Sequence, residues 1–253
     1  MKILQDLINR KARKQKSLAI LIDPDKITEI SSITNLIALA KECYIDFFFV
    51  GGSLITRDNL NEVIQQLKLN CDIPTVLFPG NNMQINHDAD AILFLSLISG
   101  RNADLLIGQH VNAAPLLKKS QLEVISTGYM LVNSASTSAA SYMSNTIPIP
   151  PDKHSIASST ALAGEMLGMK LIYMDAGSGS KQAITQKMIR KVNEAISCPL
   201  IVGGGITSAQ LVQEALVAGA DVIVIGNAIE KNPDLMIEVS EKIYDFNKSL
   251  NIH

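Results

Sequence analysis

A chain of 253 residues, 47% of them apolar, is the size of one α/β barrel and can bury a core of its own. Its formal charge of −2, five Tyr, six Phe and no Trp exclude a basic footprint for nucleic acid and leave few stacking platforms for bases. Cys43, Cys71 and Cys198 are odd in number and widely spaced, which excludes a disulfide framework or zinc site and suits packed thiols in a reducing, cytoplasmic setting.

In chain order, Met1 to Arg10 lacks an apolar h-region and is not read as a signal peptide. Ile3, Leu4, Leu7 and Ile8 share one helical face, followed by Arg10, Lys11, Arg13, Lys14 and Lys16. Two readings stay open: a peripheral membrane contact with anionic lipid, or a helix closing the bottom of a barrel with its basic end solvated. The second is adopted. Apolar runs then predict strands at 18–22, 47–50, 75–77, 91–95, 124–132, 171–174, 200–202 and 222–225. Helical patterns fall near 30–42, 58–68, 154–167, 185–196, 209–218 and 235–249. Eight strands alternating with helices predict an α/β (β/α)8 barrel of the TIM type, with residues 1–253 forming a single phosphate-binding domain.

The first strand ends in Asp23, Pro24, Asp25 and Lys26, where a barrel carries its catalytic groups. Asp23 suits Mg²⁺, which keeps waters and takes few protein ligands; the competing reading is a turn that caps the first helix. After the second strand, Gly51 and Gly52 permit close approach of a ligand and Ser53 offers a hydroxyl, with Thr56 expected as helix N-cap. Between Phe78, just past the third strand, and Ala91, the start of the fourth, lie only twelve residues, Pro79 to Asp90, which open with a Pro-Gly-Asn-Asn turn signature. The third helix is therefore predicted to be missing or replaced by a short irregular segment. That leaves an apolar slot for a long ligand, a loop or a partner subunit to cover. The segment from Asn133 to Lys153, rich in Ser, Thr and Ala, is expected as a lid over the mouth.

The late strands deliver three glycine-rich turns: Tyr173 to Gly179, Gly203 to Ile206, and Gly226 with Asn227. Backbone N–H groups at such turns converge on an anion, the usual phosphate grip of a barrel. Asp175 lies beside this grip, and general base for a substrate hydroxyl is the economical role for a carboxylate there. His87, His110, His154 and His253 are scattered, with His87 and His110 read as loop or surface residues. No spacing supports nucleophilic hydrolysis, and no strand lysine supports a Schiff base.

Leu21 to Lys26, Phe49 to Ser53, Leu77 to Asn81, Gly128 with Tyr129, Tyr173 to Gly179, Val202 to Ile206 and Gly226 with Asn227, in that order, closely resemble the geranylgeranylglyceryl phosphate synthase family. The longer-chain second group of that family matches best. The resemblance implies a prenyltransferase joining sn-glycerol 1-phosphate to a polyprenyl diphosphate, most often geranylgeranyl diphosphate, with loss of diphosphate. It implies Mg²⁺ on Asp23 and Ser53. It places the glycerol phosphate on Tyr173, Met174, Asp175, Ala176, Gly177, Ser178 and Gly179, on Gly204 and Gly205, and on Gly226 and Asn227. The prenyl tail would occupy the slot of the missing helix, and Asp175 would be the catalytic base. Asp175 departs from the family's usual Glu, which draws the carboxylate back by about 1.5 Å. A homo-oligomer is expected. The rival readings are a sugar-phosphate isomerase or epimerase and a catalytically silent phosphate- or lipid-binding barrel.

Overall fold

Short apolar runs buried on both faces close into a parallel barrel. The computed structural model describes residues 2–57, 59–132 and 138–250. Strands β1 (Ser17–Ile22), β2 (Phe47–Val50), β3 (Thr75–Leu77), β4 (Ala91–Leu97), β5 (Glu123–Leu131), β6 (Leu171–Asp175), β7 (Leu200–Gly203) and β8 (Val222–Ile225) pair in chain order. The ring is shut by β8 on β1, with Ser17 opposite Val222 and Ile20 opposite Ile225. Side chains alternate along each strand. Ala19, Phe47, Phe49, Leu93 and Tyr173 fill the barrel, while Leu18, Ile20, Phe48, Ile172 and Met174 pack outward against helices.

The helices are α1 (Ile3–Ala12), α2 (Ile30–Glu42), α3 (Leu60–Asn70), α4 (Gln109–Lys119), α5 (Ala139–Ser144), α6 (His154–Met166), α7 (Gln186–Ala195), α8 (Ala209–Ala218), α9 (Asn227–Lys231) and α10 (Asp234–Leu250). Caps set several of these boundaries: Thr185 accepts from Met188 at the start of α7 and Ser208 from Leu211 at the start of α8, each satisfying an orphan N–H. Gly219, at φ +114°, ends α8 in the left-handed region.

Helix α1 closes the bottom of the barrel. Ile3 and Leu7 join the interior cluster, and Glu123 accepts from the N–H groups of Ile3 (2.6 Å) and Leu4 (3.2 Å). The basic end is less solvated than expected. Arg10 pairs with Asp6 and Asp46, and Lys11 and Lys16 both reach Asp221, at 2.8 and 3.0 Å. Among the described residues no helix is long and apolar enough to cross a membrane.

Between β3 and β4 the chain makes only bends and turns, so the outer ring lacks a helix there. Gln84 fastens this crossover: its side chain accepts from Gly80 N–H (3.0 Å) and donates to Gly52 O (2.9 Å). Three local expectations are corrected. Thr56 caps no helix; its N–H and hydroxyl both donate to Asp25, and α3 starts later, at Leu60. Asp58, the expected first residue of that helix, lies outside the described residues. Helix α4 was not predicted, because Pro115 stands inside it and a π turn, Asp104–Gly108, shifts its phase.

Candidate active site

Asp175 is the last residue of β6 and points inward by strand parity, 7% exposed. Its Oδ2 accepts from the Tyr129 hydroxyl at 2.5 Å and its Oδ1 from Gly177 N–H at 2.7 Å. Burial raises the carboxyl pKa, and these two donors pull it back down. Burial, reinforced by the neighbouring carboxylate, holds the Tyr129 phenol well above its usual range, so it stays protonated and donating. Tyr173 is raised likewise. Phe78 stacks on Tyr173 at 5.1 Å and meets Tyr129 edge-on at 5.8 Å, which walls one side of the carboxylate with aromatic surface. The sequence reading carried Tyr129 only as part of a family motif. Its inward parity at the end of β5 was the available signal.

The glycine turns stand around this group. Gly204, at φ +78°, has no room for a side chain: a Cβ there would lie 2.5 Å from Asp175 Oδ1. Gly205, at φ +69°, would place one 2.3 Å from Gln182 O. Asn227 Nδ2 donates to Ser178 Oγ at 3.0 Å, tying the β8 turn to the β6 turn. Lys26 Nζ donates to Asn227 Oδ1, which ties both to the end of β1.

Asp23 caps the short turn Pro24–Lys26 rather than the helix α2 that follows it, its Oδ1 accepting from Asp25 N–H at 3.2 Å, and its side chain also lines the mouth. A Cβ on Gly52 would sit 3.0 Å from Asp23 Oδ1, so the β2 turn and this carboxylate are in close contact. Burial raises the Asp23 pKa; Lys26, its largest opposing influence, stands 3.9 Å away, too far for a tight pair. An incompletely compensated carboxylate near the Ser53 turn is a donor set that fits Mg²⁺ sharing phosphate oxygens. Among the described residues no three His, Cys, Asp or Glu side chains cluster for a metal.

One cleft of about 460 Å³ joins these parts. It runs from the glycine turns past Asp175 into the slot between the crossover, the outer face of β4 (Ile92, Phe94) and α4 (Ala113, Leu117). Ala139, Ala140 and Met143 of α5 cover it, which places part of the Asn133–Lys153 segment over the mouth; residues 133–137 lie outside the described residues. Tyr173, Asp175, Gly177, Ser178, Gly179, Gly204, Gly205, Gly226, Asn227, Asp23 and Ser53 all line it. Met174 and Ala176 do not. Their side chains pack in the outer core, so only their backbone is available to a ligand.

His110 is also corrected. It is buried on α4, edge-on to Phe94 at 4.5 Å with Nε2 3.2 Å from Ser96 Oγ, and lines the slot. His87 is exposed, as expected, and His253 lies outside the described residues.

The PcrB family model matches residues 10–243. The chain is 52% identical to the geranylgeranylglyceryl phosphate synthase of Chitinophaga pinensis over 96% of each chain. It is 50% identical to that of Spirosoma linguale over 99% of each. Among solved structures it is similar to (S)-3-O-geranylgeranylglyceryl phosphate synthase from Thermoplasma acidophilum in complex with sn-glycerol-1-phosphate. That match has a TM-score of 0.90 and 30% identity, and covers 97% of this chain and 99% of that one.

Proposed function

We propose, on the premise that the chain belongs to the PcrB family of geranylgeranylglyceryl phosphate synthases, that it joins sn-glycerol 1-phosphate to a polyprenyl diphosphate, most often geranylgeranyl diphosphate. The products are the 3-O-prenyl ether of glycerol phosphate and diphosphate. The observation that carries this reading is the continuity of one cleft. An anion grip, a buried carboxylate and an apolar slot follow each other along it, as a phosphate, a nucleophilic hydroxyl and a hydrocarbon tail require.

In this reading Gly177 to Gly179, Gly204, Gly205, Gly226 and Asn227 hold the glycerol phosphate. Asp175 accepts the proton of its sn-3 hydroxyl, directly or through one water. Both Asp175 oxygens already accept one hydrogen bond and retain a second lone pair for that proton. Tyr129 and Gly177 fix the carboxylate in place. Asp23 and Ser53 would hold Mg²⁺, which when bound supplies charge neutralisation of the diphosphate leaving group. The apolar walls keep water from the allylic carbon as positive charge develops there. The motifs also support the longer-chain second group of the family and one barrel domain over residues 1–253, and the free thiols of Cys43, Cys71 and Cys198 support a cytoplasmic enzyme. A sugar-phosphate isomerase would need a second acid–base group opposed to Asp175. Its nearest titratable partner is Tyr129, whose phenol is held protonated.

The test is a Mg²⁺-dependent assay with geranylgeranyl diphosphate and labelled sn-glycerol 1-phosphate, run beside the sn-glycerol 3-phosphate enantiomer. Label entering the organic phase with the 1-phosphate only, and lost with EDTA, is expected. No transfer with any prenyl diphosphate would overturn the reading.

A further inference from the structure

The cleft has to take two phosphorylated substrates, yet among the described residues it is lined by Asp23, Asp175 and Glu230 and by no lysine or arginine. An ammonium, that of Lys26, stands just behind this lining, in contact with Asn227 and Glu230. Lys26 ends the short turn Pro24–Lys26 that Asp23 caps, and its Nζ reaches across to the far side of the β1–β8 seam. There it donates to Asn227 Oδ1 and pairs with Glu230 at 3.0 Å. Asn227 in turn donates through Nδ2 to Ser178 Oγ.

We infer that Lys26 is a positioning residue for the glycerol phosphate: it orients the Asn227 amide and brings to the grip a positive charge that the cleft lining lacks. This inference rests on the proposed function above. An ammonium only donates, so the atom of the Asn227 amide that faces it must be the oxygen. The NH₂ is thereby turned towards Ser178 and the glycine turns, where an anion needs donors. Without Lys26 the amide is free to rotate and present its oxygen to the phosphate, an acceptor against an acceptor. Glu230, three residues beyond Asn227 on α9, competes for the same ammonium and dilutes its charge. Removing Glu230 should therefore act in the opposite direction to removing Lys26.

Calorimetric titration of sn-glycerol 1-phosphate into the wild-type chain, Lys26→Met, Lys26→Arg and Glu230→Gln tests this. Lys26→Met is expected to weaken binding about ten- to hundredfold. Lys26→Arg, which keeps charge and donors, should recover most of that loss, and Glu230→Gln should bind severalfold more tightly than wild type. In turnover, Lys26→Met should raise KM for the glycerol phosphate while kcat stays within about threefold. Unchanged binding in Lys26→Met overturns the inference. So does a joint fall of kcat and thermal midpoint that Arg does not rescue, since that marks a scaffold residue. Failure of the wild-type chain to bind sn-glycerol 1-phosphate would instead defeat the functional reading itself.

Discussion

Burial lifts the pKa of Asp175 above the 3.8 of a free side chain, while Tyr129 and Gly177 oppose the shift. With the folded value raised, the native state holds the proton more tightly than the unfolded chain. Stability therefore falls as pH rises from about 4 through the folded pKa, and the ionised carboxylate is a cost at neutral pH. Asp175→Asn, which keeps an acceptor for Tyr129, should raise the thermal midpoint at neutral pH by about 2–4 °C for each kcal/mol recovered. The gain should vanish as pH is lowered to about 4. Turnover should drop by about 10²–10⁴. Thermal melts across pH, run beside the transfer assay, check both; a variant no more stable at neutral pH, or as active, contradicts the assignment. At this scale much of the site was legible, because glycines after apolar runs mark strand ends. Taking Tyr173 to Gly179 as one block nevertheless admitted Met174 and Ala176, which strand parity turns away from the cleft. The meeting of Lys26 with Asn227 was not legible at all. It joins positions 201 residues apart that only barrel closure brings together.

Among the elements, the missing helix was readable from length and turn chemistry together, since twelve residues leave hardly any room for a crossover helix and these open on a Pro-Gly-Asn-Asn turn. The opposite wall of the slot was hidden. Pro115 and the π turn break the apolar period of α4, so neither its helix nor the place of His110 could be read. If the slot holds the prenyl tail, filling it should shorten what the enzyme accepts. Ala113→Phe is expected to lower kcat/KM for geranylgeranyl diphosphate at least about tenfold relative to geranyl diphosphate, as a lost methylene pocket and steric conflict would. Steady-state kinetics with both donors measures the ratio. An equal loss on the two would remove the tail from this slot.

For the molecule as a whole, several large apolar side chains remain outside the core. Ile107 and Val111 near the slot and Tyr142 and Ile147 around α5 are all well exposed. Together with a charged fraction of only 18%, they support self-association, and light scattering should give a mass of two or more chains. A monomer at micromolar concentration would contradict that. The floor of the barrel bears on how such a chain is made. The acceptors that seat α1, Glu123 and Asp221, follow it by 120 residues (Ile3 to Glu123) and 210 residues (Lys11 to Asp221). During synthesis, at about 5–20 residues per second, α1 therefore leaves the ribosome many seconds before its seat exists. Until β8 closes on β1, its apolar face is an unpartnered surface on a nascent chain, and docking of α1 reports that the ring has closed.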